Sequence, residues 1–142
     1  MSKQSLHTEI IALCDYANIS REGKLSINGI FDELRVQQFP GGIARAFLVA
    51  TISGTPNTQY RLILKVETKN GGKVPLNDLN LDAMTAPNGK NNLMIELVNL
   101  GFEKEGDYQF KIYNGNEEVG STLLKVIQLS AVTDIGKEKL PN

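Results

Sequence analysis

Apolar residues in this chain recur at every second position in short runs. Tyr60, Leu62, Leu64 and Val66 share one side of a run whose other side carries Arg61, Lys65 and Glu67. Tyr108, Phe110 and Ile112 repeat the scheme, with Gln109 and Lys111 between them. A period of two, built from β-branched, aromatic and leucine side chains, predicts strands that bury one face and wet the other. Turn residues separate the runs: "REGK" (21–24), "PGG" (40–42), "SGTPNT" (53–58), "KNGG" (69–72), "PNGKNN" (87–92), "EKEGD" (103–107) and "NGN" (114–116). Asn-Gly supplies the positive φ angles that tight hairpins need. The pattern predicts an all-β protein, an antiparallel β-sandwich of about seven to nine strands.

Three segments depart from simple alternation. In 43–54, "IARAFLVATISG", Ala44, Ala46, Leu48, Ala50 and Ile52 form one apolar face, and Ile43, Phe47 and Val49 add to the other. A strand apolar on both sides is expected at the centre of a sheet, with its second face covered by another segment of the chain or by a partner subunit. In 24–36, Leu25, Ile27 and Phe31 share one parity, and Ile30, Leu34 and Val36 share the other. A β-bulge near Gly29 would produce such a slip within one long, bent strand, leaving Asp32 and Glu33 at the bend. In 75–86, Leu76, Leu79 and Met84 have loosely helical spacing, which suits a single turn or a short helix. The whole chain, 1–142, reads as one domain, with its core at about 8–129 and a C-terminal tail over 130–142.

Composition narrows the function. A formal net charge of −1 lacks the basic excess with which nucleic-acid binders displace counterions, so no nucleic-acid partner is expected. The single cysteine, Cys14, excludes an internal disulfide and suits the cytoplasm. The apolar patch Ile10–Cys14 is too short for a signal-peptide core, and nothing approaches the roughly 20 apolar residues of a membrane span. The expectation is an unprocessed cytoplasmic protein without a membrane partner.

The chemistry on offer is sparse. One histidine, His7, and one cysteine do not make a zinc site, and a catalytic triad would have to recruit His7 from the polar N-terminal lead. Cys14 reads as a small buried hydrophobe. Asp78, Asn80 and Asp82 begin like a calcium loop, but Ala83 and Gly89 stand where the EF-hand needs Gly and Glu. The glycines form no phosphate-binding pattern. No catalytic residue, metal or cofactor is expected.

Two resemblances add to this. "KEGDYQFKIYNG" resembles the penultimate strand of immunoglobulin-like sandwiches, where a Tyr two residues after a Gly forms a "tyrosine corner". Gly106 and Tyr108 match it, with Lys104 where Asp is common and Phe110 in the place of the inter-sheet cysteine. Separately, "ALCDYANISREGKLSINGIFDEL", the "FP" at Phe39–Pro40 and "EGDYQFKIYNGNEEVGSTLLKV" resemble a family of uncharacterised bacterial proteins over most of 10–128. That resemblance implies a bacterial origin and no assigned activity. Among its matching positions, Gly23 suits a turn, and Leu25 and Phe31 suit the core. Asp15, Glu22 and Asp32 are the charged positions left over, and so are the candidate ligand- or partner-binding residues. For Asp15 the competing expectation is a cap on the backbone amides of a "DYAN" turn.

The reading that follows is a non-enzymatic, immunoglobulin-like module. It would recognise a protein partner, or itself, through a sheet face or edge. The alternative is a small-ligand or carbohydrate-binding sandwich using the acidic residues at 15, 22 and 32, which requires those carboxylates to converge.

Overall fold

The computed structural model describes residues 5–69 and 72–129. Nine strands follow in order: β1 His7–Ile19, β2 Leu25–Phe31, β3 Glu33–Val36, β4 Gly41–Ser53, β5 Gln59–Thr68, β6 Leu79–Met84, β7 Lys90–Phe102, β8 Gly106–Asn114 and β9 Glu117–Gln128. They form two facing sheets, β2-β1-β4-β7 and β3-β9-β8-β5-β6. The expected sandwich is present. All its pairs are antiparallel except β3, which runs parallel to β9.

Alternation sets the core between the sheets. Leu48, Ala50 and Ile52 of β4 and Leu93 and Leu97 of β7 face Tyr60, Leu62 and Leu64 of β5 and Phe110 and Ile112 of β8, all buried. Apolar area of this kind contributes about 25 cal/mol per Å² removed from water, and supplies most of the drive to fold. The Tyr108 hydroxyl donates to the Lys104 carbonyl at 2.8 Å, and its ring packs edge-on against Phe102 at 4.8 Å. The tyrosine corner is therefore real, and it pins the loop leading into β8. With the strand order, it makes the sandwich immunoglobulin-like.

The slip of phase over 24–36 has a different cause from the expected bulge. β2 pairs β1 in one unbroken register, Leu13 with Phe31 through Ile19 with Leu25, so no residue is inserted. The chain instead leaves the first sheet at Asp32 and joins the second as β3, where Leu34 and Val36 turn to a new interior. The segment 75–86 holds no helix: Leu79–Met84 is a strand, paired with β5 from Gln59–Met84 to Leu64–Leu79. Sheet pairing outweighs the loose helical spacing there. "DYAN" is likewise strand rather than turn, because β1 continues through it to Ile19. His7, expected in the lead, is the first residue of β1, opposite Ser53. The expected tail, 130–142, lies outside the described residues.

The β1–β2 hairpin holds the main departure from a flat sheet. Cys14 is the last β1 residue opposite β4, facing Phe47. Continued straight, the hairpin would set Gly23 level with Arg21, seven residues past that row, whereas Asn92 lies beside Thr51, four residues the other way. At about 3.3 Å per residue the two would be roughly 36 Å apart. Instead the Asn92 side-chain amide donates to the Gly23 carbonyl at 2.9 Å. The hairpin therefore doubles back over the outer face of its own sheet. Its ladder is interrupted at Asp15 and Gly29, where Gly29 has φ +73°. Only glycine adopts that angle without strain. A Cβ there would also sit 2.5 Å from Asp15 Oδ2.

The folded-back hairpin answers what covers the second apolar face of β4. Ala17, Leu25 and Ile27 pack into one cluster with Ala12, Cys14, Phe47 and Val49. Phe47 is 4% exposed and Val49 is fully buried, although both point away from the main core. The cover is the same chain.

Candidate functional site

The three leftover acids are all exposed, and they occupy different settings. Asp15 lies on β1 over Gly29, at the bend. Glu22 sits at the hairpin tip, on the rim of a depression of about 450 Å³. Asp32 sits where the chain changes sheets, beside a different depression lined by Glu33, Thr122, Leu123 and Lys125. Glu22 and Asp32 thus belong to separate surfaces. Among the described residues, no group of three His, Cys, Asp or Glu side chains is placed to hold a metal ion. Asp78, of the calcium-like run, instead lies 3.7 Å from Lys65 Nζ.

Cys14 is fully buried in the outer cluster, as a small hydrophobe would be. Burial pushes its thiol pKa up, disfavouring the thiolate that a nucleophile needs.

The depression at the hairpin tip is polar. Thr51, Lys90, Asn91, Asn92 and Asn88 line it together with Glu22. Most of its amides are already engaged. Thr51 donates to Asn92 at 2.7 Å, Asn91 donates to the Met84 carbonyl at 2.6 Å, and Asn88 accepts from the Lys90 amide at 3.0 Å. Next to the lining residue Ala86, Thr85 is a buried hydroxyl that donates to the Thr55 carbonyl at 2.6 Å and accepts from the Thr58 amide at 2.9 Å.

A second polar constellation lies on the solvent side of the five-stranded sheet. Glu67 accepts from Tyr113 at 2.9 Å and pairs with Lys111 at 3.0 Å; Lys111 also reaches Glu118 at 3.4 Å. The Lys111 ammonium, then the Tyr113 hydroxyl, hold the Glu67 carboxyl below its ordinary pKa. In return Glu67 raises the pKa of both Lys111 and Tyr113. Every group here stabilises its neighbour's charged or donor form, so the network ties β5, β8 and β9 together across the sheet.

The remaining feature is the border of the four-stranded sheet. β7 is an edge strand of 13 residues, bordered by β4 on one side only among the described residues. On its outer face Met94 is 39% and Val98 60% exposed, flanking Glu96. Glu96 forms an ion pair with Arg45 on β4, and that guanidinium also sits 5.1 Å above the Phe47 ring. Edge strands invite pairing with another chain, and proteins blunt them with charge, bends or short length. The other edges have such guards. β3 is four residues long, β6 carries Asp82 and follows Asp78, and β2 belongs to the bent hairpin. From Leu93 to Val98, β7 carries one charge, and Arg45 neutralises it.

This edge was not singled out from the sequence. The signal was there in "NNLMIELVNL", a run with one acid and apolar residues on both parities.

Comparison with known proteins adds a family. The sequence profile described as a family of unknown function, DUF6941, matches residues 9–127. The chain belongs to DUF6941. No curated protein matches it. Among solved structures, an immunoglobulin-like protein from Pseudomonas aeruginosa is similar at 12% identity and a TM-score of 0.45, covering 86% of this chain and 96% of that one. The DUF6941 match spans the hairpin, the edge strand β7 and the tyrosine corner alike. No helix of the described residues is long and apolar enough to cross a membrane.

Proposed function

We propose that this DUF6941 chain is a non-enzymatic recognition module of the bacterial cytoplasm, and that it binds a protein partner along β7. The observation that carries the reading is the unguarded edge from Leu93 to Val98, with Met94 and Val98 exposed beside it. An extended segment added there would satisfy the outward amides and carbonyls of β7 and bury both side chains, which is how sheet augmentation gains affinity and selectivity. The rest of the outer face favours the edge, because the hairpin already occupies the apolar surface over Phe47 and Val49.

Site-specific photocrosslinking in the native host tests this. A photoreactive residue at position 98 is expected to give discrete protein adducts, and the same residue at Arg61 on the opposite sheet to give none. Absence of adducts at 98, or equal adducts at both positions, would remove the reading.

A second reading, a small polar ligand at the hairpin tip, is supported by the depression of about 450 Å³ with Glu22 on its rim, a size within the range of ligand sites. Its separate test is a chemical-shift titration with neutral saccharides. Shifts confined to Glu22, Asn88 and Asn91 would favour it.

A further inference from the structure

We propose that the partner along β7 is β7 of a second copy of this chain, paired antiparallel about a twofold axis at Glu96. The proposal rests on the reading of β7 as the working edge and names what it binds. A twofold perpendicular to the sheet places the same face of both copies on the same side, so opposite residues share a face.

The placement of side chains on β7 selects one axis. Met94 and Val98, the exposed apolar residues of this strand, stand two positions to either side of Glu96. With Glu96 opposite its own copy, Met94 of each chain faces Val98 of the other, and Ile95 faces Leu97 on the inner side. Moving the axis one residue, to Ile95 or to Leu97, would set the Glu96 carboxylate against Met94 or against Val98. Both neighbouring registers oppose a charge to an apolar group. The strand also limits the pairing: Asn99 has φ +56°, a left-handed conformation that interrupts the regular edge just beyond Val98.

The axis brings two Glu96 carboxylates together, which would be repulsive if they were bare. Each is already paired with Arg45 of its own chain, so the centre of the joint sheet holds two anions and two cations. A heterologous peptide would need no such symmetry in β7; a second copy does.

Sedimentation equilibrium of the full chain, from low micromolar to near millimolar concentration, tests this. The wild type is expected to reach twice the 15.6 kDa chain mass. Val98→Lys and Met94→Lys are expected to return it to a monomer, with the melting temperature of the wild type measured at dilutions where the dimer has dissociated, because both positions are exposed in the single chain. Met84→Lys, an exposed apolar residue on β6, serves as the control and is expected to leave the dimer intact. Arg45→Gln is expected to weaken the dimer by about tenfold, the scale of one unbalanced charge contact, and adding Glu96→Gln is expected to restore it. A wild type that stays monomeric throughout, or a dimer that survives Val98→Lys, overturns the proposal. A monomer that still gives heterologous adducts at position 98 removes self-pairing alone; a monomer with no adducts removes the recognition reading as well.

Discussion

The side-chain amide of Asn92 on β7 donates a hydrogen bond to the main-chain carbonyl of Gly23, 69 residues earlier in the chain. That bond ties the tip of the N-terminal hairpin across the outer face of the sheet from which the hairpin arises. The same asparagine accepts from Thr51, so its orientation is fixed from below. The apolar surface of β4 is closed by this arrangement, and the border at β7 stays open.

Asn92→Ala is expected to loosen the hairpin without unfolding the sandwich. A hydrogen bond of this kind is worth about 1 kcal/mol net, and the loss falls on the hairpin locally. Hydrogen exchange should speed up in 16–28 and stay unchanged in β5 and β8. Uniform acceleration across both sheets would show that the hairpin is not a separate unit.

Phe47→Ala discriminates a covered outer face from a bare one. Phe47 points away from the main core, yet packs with Ala17, Leu25 and Ile27 and meets the Tyr16 ring edge-on at 5.7 Å. Truncating a buried Phe costs about 3–5 kcal/mol. Urea unfolding is expected to give a loss in that range. A loss of under about 1 kcal/mol, typical of surface substitutions, would mean that the hairpin does not cover it.

Gly29→Ala is expected to destabilise by two separable causes. The φ of +73° strains any residue with a Cβ, and the new methyl would meet Asp15 Oδ2. The conformational part is about 1 kcal/mol. Adding Asp15→Ala should recover the steric part and leave the conformational one, a coupling readable in a double-mutant cycle. Strict additivity of the two would place Asp15 elsewhere.

The Glu67 tie predicts an acid-side effect. Its carboxyl pKa is lowered in the folded chain by Lys111, then by Tyr113, so its stabilisation is present above the unfolded value, about 4.3. It is lost as pH falls through the depressed folded value. Carboxyl carbon shifts should show a low midpoint for Glu67, moving up toward the ordinary value in Lys111→Gln. A midpoint indifferent to Lys111 would contradict the tie.

Much of the fold was legible because alternation is a local signal. Tyr60 to Val66 and Tyr108 to Ile112 each announce a half-buried strand, and the Gly106–Tyr108 spacing announces the corner whose bond to Lys104 the structure contains. The excursion at 24–36 was visible as a slip of phase, but one sequence cannot distinguish an inserted residue from a change of sheet. Both reverse the parity of Leu34 and Val36. The helical spacing around Leu76 and Met84 lost to pairing with β5, a contact far away in sequence. The candidate acids drew notice because charge among core residues asks for an explanation; Asp15 lies over Gly29, and Glu22 and Asp32 stand on separate surfaces. The edge at β7 drew none, because which strand lies outermost is a property of strand order, which alternation does not encode.

The doubled-back hairpin is what divides the outer face into a closed half and an open border, so it is the point to test first. Nuclear Overhauser contacts between the methyl groups of Ala17, Leu25 or Ile27 and the ring of Phe47 or the methyls of Val49 measure it directly. Strong contacts are predicted, together with a protected Phe47 ring. Their absence, with the Gly23 region showing no proximity to Asn92, would mean that the hairpin extends straight from the sheet and that β4 rather than β7 is the surface awaiting a partner.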